Sequence, residues 1–344
     1  MTLAVGIRGL GRIGRNLFRI LSAREDVRIA AVSLIAFSAP GTAQQYPSRA
    51  VTIVCPYPAG GPTDQTARVI ANFLSKKFNQ NFIVENITGG GTIIATNRVA
   101  RASPDGYTLL LHNLQISANA TLYTNMPFDT ARDLTGVMLV NNNPLVRVGR
   151  RDLQPNTLSE LLAYMKKERL KAALPGYGAT GHLATTLVAQ EAKVPIDQIP
   201  YRGAAPAMTD LMGGHVDLFF GTPQSVVPLV KSGQLKAYGV TSKTKLEQLP
   251  NVESFVEVLG PKLEILYWQA MYAPAGTPEA VIKTLNAAMQ EAVSDPTIVK
   301  SWDTEGFFIY PKEMRTPAAA DALLKSEMAR WGQVIRDNNI HIDQ

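Results

Sequence analysis

One local design recurs along this chain, and it restricts the fold to alternating strands and helices. A short apolar strand runs into a glycine-rich turn, and an amphipathic helix follows. The first instance is TIVCPYPAGGPTDQTARVIANFL, residues 52–74. Its second half places Ala67, Ile70, Ala71 and Leu74 on one face of a helix. A second instance joins NFIVENI (81–87) through Gly89-Gly90-Gly91-Thr92 to IIATNRVARA. A third joins KAAL (171–174) through GYGATGHL to a helical stretch from Leu183 to Ala192. A fourth joins QIPY (198–201) through Arg202-Gly203 to AAPAMTDLM. This alternation predicts an α/β architecture with mostly parallel sheets. In such sheets the turns gather at the carboxyl ends of the strands, where ligands bind. Several of these junctions are therefore expected at one cleft.

The first junction indicates what the cleft holds. Gly60 and Gly61 let a ligand approach the backbone closely. Pro62 and Thr63 suit the first helical turn, where proline is tolerated and a hydroxyl can cap. Amides at a helix start attract an anion. The turn carries no lysine, so it is not a nucleotide P-loop, and a smaller anion such as a carboxylate is expected. Elsewhere PDGY (104–107) reads as a turn before the strand YTLLL. Thr157 and Glu160 form a capping box ahead of Leu161, Leu162 and Met165. Gly213-Gly214 ends a helix before VDLFFG. Thr277-Pro278 opens another helix, with Val281, Ile282, Leu285 and Met289 toward a core.

Composition excludes several alternatives. At 344 residues, 46% apolar and 18% charged, the chain can build two ordinary domains. Cys55 is the single cysteine, so no intrachain disulfide or cysteine metal site is available. The formal charge is +6, of which residues 1–43 hold +4, from six arginines against Glu25 and Asp26. The rest of the chain carries no basic run with interleaved aromatics, so no nucleic-acid partner is expected. The histidines at 112, 182, 215 and 341 show no HExxH spacing, and no GxSxG elbow occurs. Ser242 and Lys245 fit SxxK without its partner motifs and read as a solvated loop. Neither enzymatic chemistry, nor a metal, nor a cofactor is expected.

The amino terminus is composite. Residues 29–43, IAAVSLIAFSAPGTA, follow Arg28 and end in small residues, with Gly41 and Ala43 placed for cleavage before Gln44. That is the pattern of a secretory signal. Upstream, Gly9, Gly11 and Gly14 spell the dinucleotide fingerprint GxGxxG. This stretch resembles the amino terminus of glyceraldehyde-3-phosphate dehydrogenase as far as Ser33. Leu34 stands where that family places an acidic residue for the cofactor ribose. Residues 1–43 are therefore read as a leader, with an NAD-dependent oxidoreductase as the rival reading. A cytoplasmic carboxylate sensor follows instead if the apolar run is not an export signal.

From Tyr46 onward the chain resembles the Bug or TctC-like substrate-binding proteins of tripartite tricarboxylate transporters. The resemblance rests on YPSRAVTIVCPYPAGGPTD (46–64), ARASPDGYTLLL (100–111), IPYRGAAPAMTDLMGGHVDLFF (199–220), MYAPAGTPEAVIKTLNAAM (271–289) and SEMARWGQVIRDNNI (326–340). It implies a two-lobed, type II-like periplasmic-binding-protein fold closing on a carboxylate. The expected lobes are 44–143 with 239–344, and 144–238, crossing near 137–149 and 235–242. It implies a periplasmic, monomeric receptor serving membrane transporter subunits. Carried over, the resemblance places Tyr57, Ala59, Gly60, Gly61, Thr63 and Asp64 at the ligand. Asp64 has a rival role in favouring the helix dipole. Gly178, Thr180, Gly181 and His182 approach from the second lobe, where Thr180 can equally be an N-cap and His182 a solvated residue. Arg202 is the expected cation, and Thr222 supplies a hydroxyl. GYGATG departs from the polar run expected before residue 181. Tyr177 within it suggests an aromatic wall, so the ligand is either an aliphatic di- or tricarboxylate or an aromatic acid.

Overall fold

The computed structural model describes residues 3–8, 21, 23, 27–33 and 46–340. The fingerprint glycines 9, 11 and 14, and the expected cleavage point before Gln44, lie outside the described residues. The chain divides into two units, Met1–Gln45 and Tyr46–Gln344. In the first, β1 (Leu3–Arg8) pairs in parallel with β2 (Val27–Ser33).

The second unit is built on two sheets of six strands. One contains β3 (Val51–Cys55), β4 (Phe82–Asn86), β5 (Thr108–Asn113), β6 (Leu134–Pro144), β13 (Leu266–Pro274) and β14 (Phe308–Ile309). Their order is β14-β6-β13-β5-β3-β4. Strands β3, β4, β5 and β6 share one direction, while β13 and β14 are reversed. The other sheet contains β7 (Val146–Arg150), β8 (Leu170–Leu174), β9 (Ile196–Pro200), β10 (Leu218–Gly221), β11 (Leu235–Val240) and β12 (Glu253–Ser254), in the order β12-β11-β7-β10-β8-β9. Only β7 runs against the rest. Common strand direction gathers the strand-to-helix turns of each sheet along one edge.

Helix α1 (Pro62–Phe78) illustrates why these segments fold as read. Ala67, Ile70 and Leu74 are fully buried on its inner face, packed with Val51, Ile53, Leu109 and Leu111. Burying each large side chain contributes at most about 1.5–3 kcal/mol. Asn79, left-handed at φ 50°, ends the helix. A second core joins Leu110, Trp268 and Tyr272 of the first sheet to Phe220 of the second through Leu183, Leu187 and Trp331.

The chain passes between the sheets twice. Strand β6 ends at Pro144 and β7 begins at Val146, so Leu145 alone makes the first passage. The return lies between Ser254 and Leu266, later than the expected 235–242. The reason is pairing: Leu235–Val240 is held by β7 on one side and β12 on the other. Thr241 laces the passages together. Its hydroxyl accepts the Leu145 amide at 2.8 Å, and its own amide donates to the Leu145 carbonyl at 2.9 Å. Its carbonyl accepts the amide of Ile265 at 3.1 Å.

Candidate ligand-binding cleft

A cavity of about 520 Å³ lies where the carboxyl ends of the two sheets meet. Three of the recurrent junctions reach it, through Tyr57–Thr63, through Pro175 with Ala179, Thr180 and Gly181, and through Arg202–Pro206. The triglycine junction does not. A side chain on Gly91 would fall within 1.8 Å of the Tyr123 hydroxyl, and the Gly91 carbonyl accepts from Asn119 at 2.7 Å. That turn serves packing. The end of β10 takes its place, contributing Phe220, Gly221 and Thr222.

The glycine turn differs from the expected cradle in which amides it offers. Gly60 donates its amide to Asp64 Oδ2 at 2.8 Å, and Gly61 donates to the Pro58 carbonyl at 3.3 Å. Asp64 is buried behind the turn, where Arg68 Nε and Asn86 Nδ2 also donate to its carboxylate. Burial pushes the Asp64 pKa up, but hydrogen bonds from Arg68, Gly60 and Asn86 outweigh it and hold it below the usual value. The N-cap, Gly61, provides no side-chain cap. Thr63 does not cap either, because its hydroxyl pairs with that of Tyr267 at 2.7 Å. Among the described residues, the first-turn amides of Thr63 and Asp64 have no acceptor.

Beneath the turn lies a polar floor that sequence reasoning missed. Asn113, at the end of β5, donates to the hydroxyls of Tyr267 at 2.8 Å and Thr63 at 3.2 Å. Its Oδ1 accepts from the Tyr57 hydroxyl at 2.8 Å and from the Gln115 amide at 3.0 Å. Desolvation pushes the phenols of Tyr57 and Tyr267 up, so both remain hydrogen-bond donors. The signal was present in HNLQ (112–115), a polar run closing an apolar strand. Tyr267 comes from the reversed strand β13, a pairing that no local pattern announces.

From the second sheet, Thr180, Gly181, Arg202 and Thr222 line the cavity. Thr180 is the first residue of helix Thr180–Ala192, and the N-cap is Ala179. A side chain on Gly181 would press on Pro175 at 3.1 Å and the Phe220 carbonyl at 3.2 Å. Arg202 is exposed at the rim, with no ion pair or hydrogen bond among the described residues.

Asp64, Gly178 and His182 stand behind the lining rather than in it. Gly178, at φ +74°, packs toward Leu122, where an added Cβ would come within 2.7 Å. Its amide donates to His182 Nδ1 at 2.9 Å. His182 is buried rather than solvated, and burial pushes its pKa down to about 4. Tyr177 is exposed and makes no wall of the cavity. Leu145, Met208, Phe219 and Phe220 supply the apolar wall instead. Among the described residues no cluster of three His, Cys, Asp or Glu could hold a metal ion.

Comparison with known proteins places this architecture. The family model described as "Tripartite tricarboxylate transporter family receptor" matches residues 66–340. A protein of Agrobacterium vitis, from the TAR-I ttuE-ttuC' intergenic region, is 36% identical over 315 residues, covering 90% of this chain and 91% of its own. Among solved structures, the periplasmic binding protein BugD matches with a TM-score of 0.80 and 33% identity, over 86% of this chain and 99% of that one. MatC from Rhodopseudomonas palustris, solved with bound malate, matches with a TM-score of 0.79 and 31% identity, over 84% and 100%.

Proposed function

The chain belongs to the tripartite tricarboxylate transporter receptor family, and on that premise we propose how its cleft works. It is an extracytoplasmic solute-binding receptor with the two-lobed periplasmic-binding-protein fold. A small carboxylate enters between the lobes and is handed to a membrane transporter. The observation that carries this reading is the uncapped start of α1 lining a cavity with Arg202 at its rim. One ligand carboxylate accepts the Thr63 amide at the start of α1, where the helix dipole favours an anion. Arg202 pairs with the ligand from the other lobe. Gly60 and Ala59 shape the approach, Tyr57 and Thr63 set the polar floor, and Thr180, Gly181 and Thr222 close the far side. Asp64, Gly178 and His182 hold these elements in place.

We take the lobes to be 46–144 with 266–340, and 145–265, and the receptor to act as a monomer in the periplasm after cleavage before Gln44. The apolar wall of Phe220, Leu145 and Met208 suits an acid with a hydrocarbon body, aliphatic or aromatic. A thermal-shift screen over mono-, di- and tricarboxylates of both kinds tests the proposal. Ligand at a hundredfold excess over Kd adds about 2.7 kcal/mol of stability. NAD is the control, because in sequence the parallel strands β1 and β2 flank the fingerprint. A shift with NAD and none with any carboxylate would overturn the receptor reading.

A further inference from the structure

Arg147 lies on β7, two residues past the first passage between the sheets, and is 1% exposed. Its Nη1 donates to the Thr185 hydroxyl at 3.0 Å. Its Nη2 has no hydrogen-bond partner among the described residues. Its cross-strand neighbours are Phe220 on β10 and Gly239 on β11, neither of them charged. Burial alone pushes its pKa down, to about 9, which leaves the guanidinium charged at neutral pH. An unpaired cation in an apolar interior strongly opposes folding. Packing gives no reason to keep an arginine there.

Both contacts of the guanidinium lead to the cleft. Its Cζ sits 4.5 Å from the centroid of the Phe220 ring, and Phe220 lines the cavity. Thr185 passes the hydrogen bond on to the carbonyl of Gly181 at 2.8 Å, and Gly181 lines the cavity as well. The buried cation thus touches one residue of the cavity wall through its aromatic ring and reaches a second through one hydroxyl. We infer that Arg147 is a buried counter-charge for anionic ligands, a positioning residue that makes the cavity select carboxylates over neutral molecules of the same shape. The inference rests on the carboxylate-receptor reading. It gives the two arginines different work. Arg202 meets the ligand directly at an exposed rim that salt screens, while Arg147 acts through the wall, where mobile ions do not reach.

Isothermal titration of the full chain, its Arg147→Met variant and its Arg202→Gln variant tests this. The probes are malate, adipate and benzoate, each against its neutral amide, at low and high salt. Arg147→Met is expected to weaken carboxylate binding about tenfold and to leave amide binding nearly unchanged. The loss persists at high salt, whereas the loss in Arg202→Gln shrinks. The melting temperature of Arg147→Met holds or rises, because an unpaired buried charge is gone. Arg147→Lys keeps the charge and should bind carboxylates close to wild type, which provides the same test if the methionine variant does not fold. Equal losses for acids and amides would make Arg147 a packing element and overturn the inference. Unchanged carboxylate affinity in Arg147→Met would overturn it too, while leaving the receptor reading intact. A wild-type protein that binds none of the three acids would remove both.

Discussion

Asp64 accepts the amide hydrogen of Gly60 at 2.8 Å, so the carboxylate at the start of α1 fastens the glycine turn from the inside. The turn is therefore held by an acid of the protein's own, and the Gly60 amide is already committed to it. Asp64 is a brace.

Asp64→Asn keeps the side chain's size but loses an ionic acceptor shared by Gly60, Arg68 and Asn86. It is expected to cost about 1–2 kcal/mol of stability, since hydrogen bonds to a charged group are the stronger kind. Arg68 is 53% exposed, so its ion pair adds little to that figure. Because the native pKa is depressed, the contribution is complete above the unfolded carboxyl's pKa and is lost as pH falls through the native one. Gly60→Val acts differently. The position has φ +83° and open space beside it, so the variant strains the backbone by about 1–2 kcal/mol and crowds the ligand's approach. Urea unfolding and calorimetric titration of both variants should show Gly60→Val losing more affinity than Asp64→Asn. The reverse order would misplace the cradle.

Stability should fall earlier in acid than carboxylates alone would dictate. His112 accepts the Asn113 amide at Nδ1 at 2.8 Å, and burial pushes its pKa down to about 3. His182 behaves alike, at about 4. An unfolded chain takes up these protons near pH 6.5, the native one much lower, so the unfolded state binds more protons between. Stability is then complete above about pH 6.5 and drops by up to about 1.4 kcal/mol per pH unit for each histidine as pH falls. Denaturant unfolding at successive pH values checks the slope. Constant stability from neutrality down to about pH 5 would contradict the buried, neutral assignment.

Thr241→Val removes a hydroxyl at constant shape. The Leu145 amide then lacks its side-chain acceptor in a fully buried setting, at a cost of about 1–3 kcal/mol. Hydrogen exchange at Leu145 should quicken in the variant. Wild-type protection there would mean the lacing is incidental.

Removal of residues 1–43 should leave the melting temperature and carboxylate affinity of the remainder nearly unchanged, because Tyr46–Gln344 is a unit of its own. Differential scanning calorimetry of the shortened chain decides the matter. Aggregation or unfolding after the deletion would restore weight to a nucleotide-binding sheet built from Gly9, Gly11 and Gly14.

The sequence carries legible signals where the physics is local. The stripe of Ala67, Ile70, Ala71 and Leu74 is buried throughout. Thr157 accepts the Glu160 amide at 3.2 Å, although Glu160 reaches back to the Asn156 amide instead of the N-cap's own. Asp105 accepts the Tyr107 amide at 3.0 Å inside the PDGY turn. What stayed hidden depends on which strands become neighbours. Asn113 and Tyr267 meet because β13 returns antiparallel to β5, and Asp64 turns inward because Asn86 waits on β4. Arg147 faces Phe220 only because β10 pairs antiparallel with β7, a neighbour that no local pattern gives.

The short bonds among Leu145, Thr241 and Ile265 make the joint between the lobes a pinned axle rather than a loose tether. Motion about such an axle has essentially one degree of freedom, an opening angle. Leu145 is also part of the cavity wall, so a solute in the proposed site would rest against the axle itself. The bulk of the solute would then set the angle at which the lobes come to rest. A membrane partner reading the outer surface would sense a geometry of closure, and would have no need to recognise the solute's chemistry.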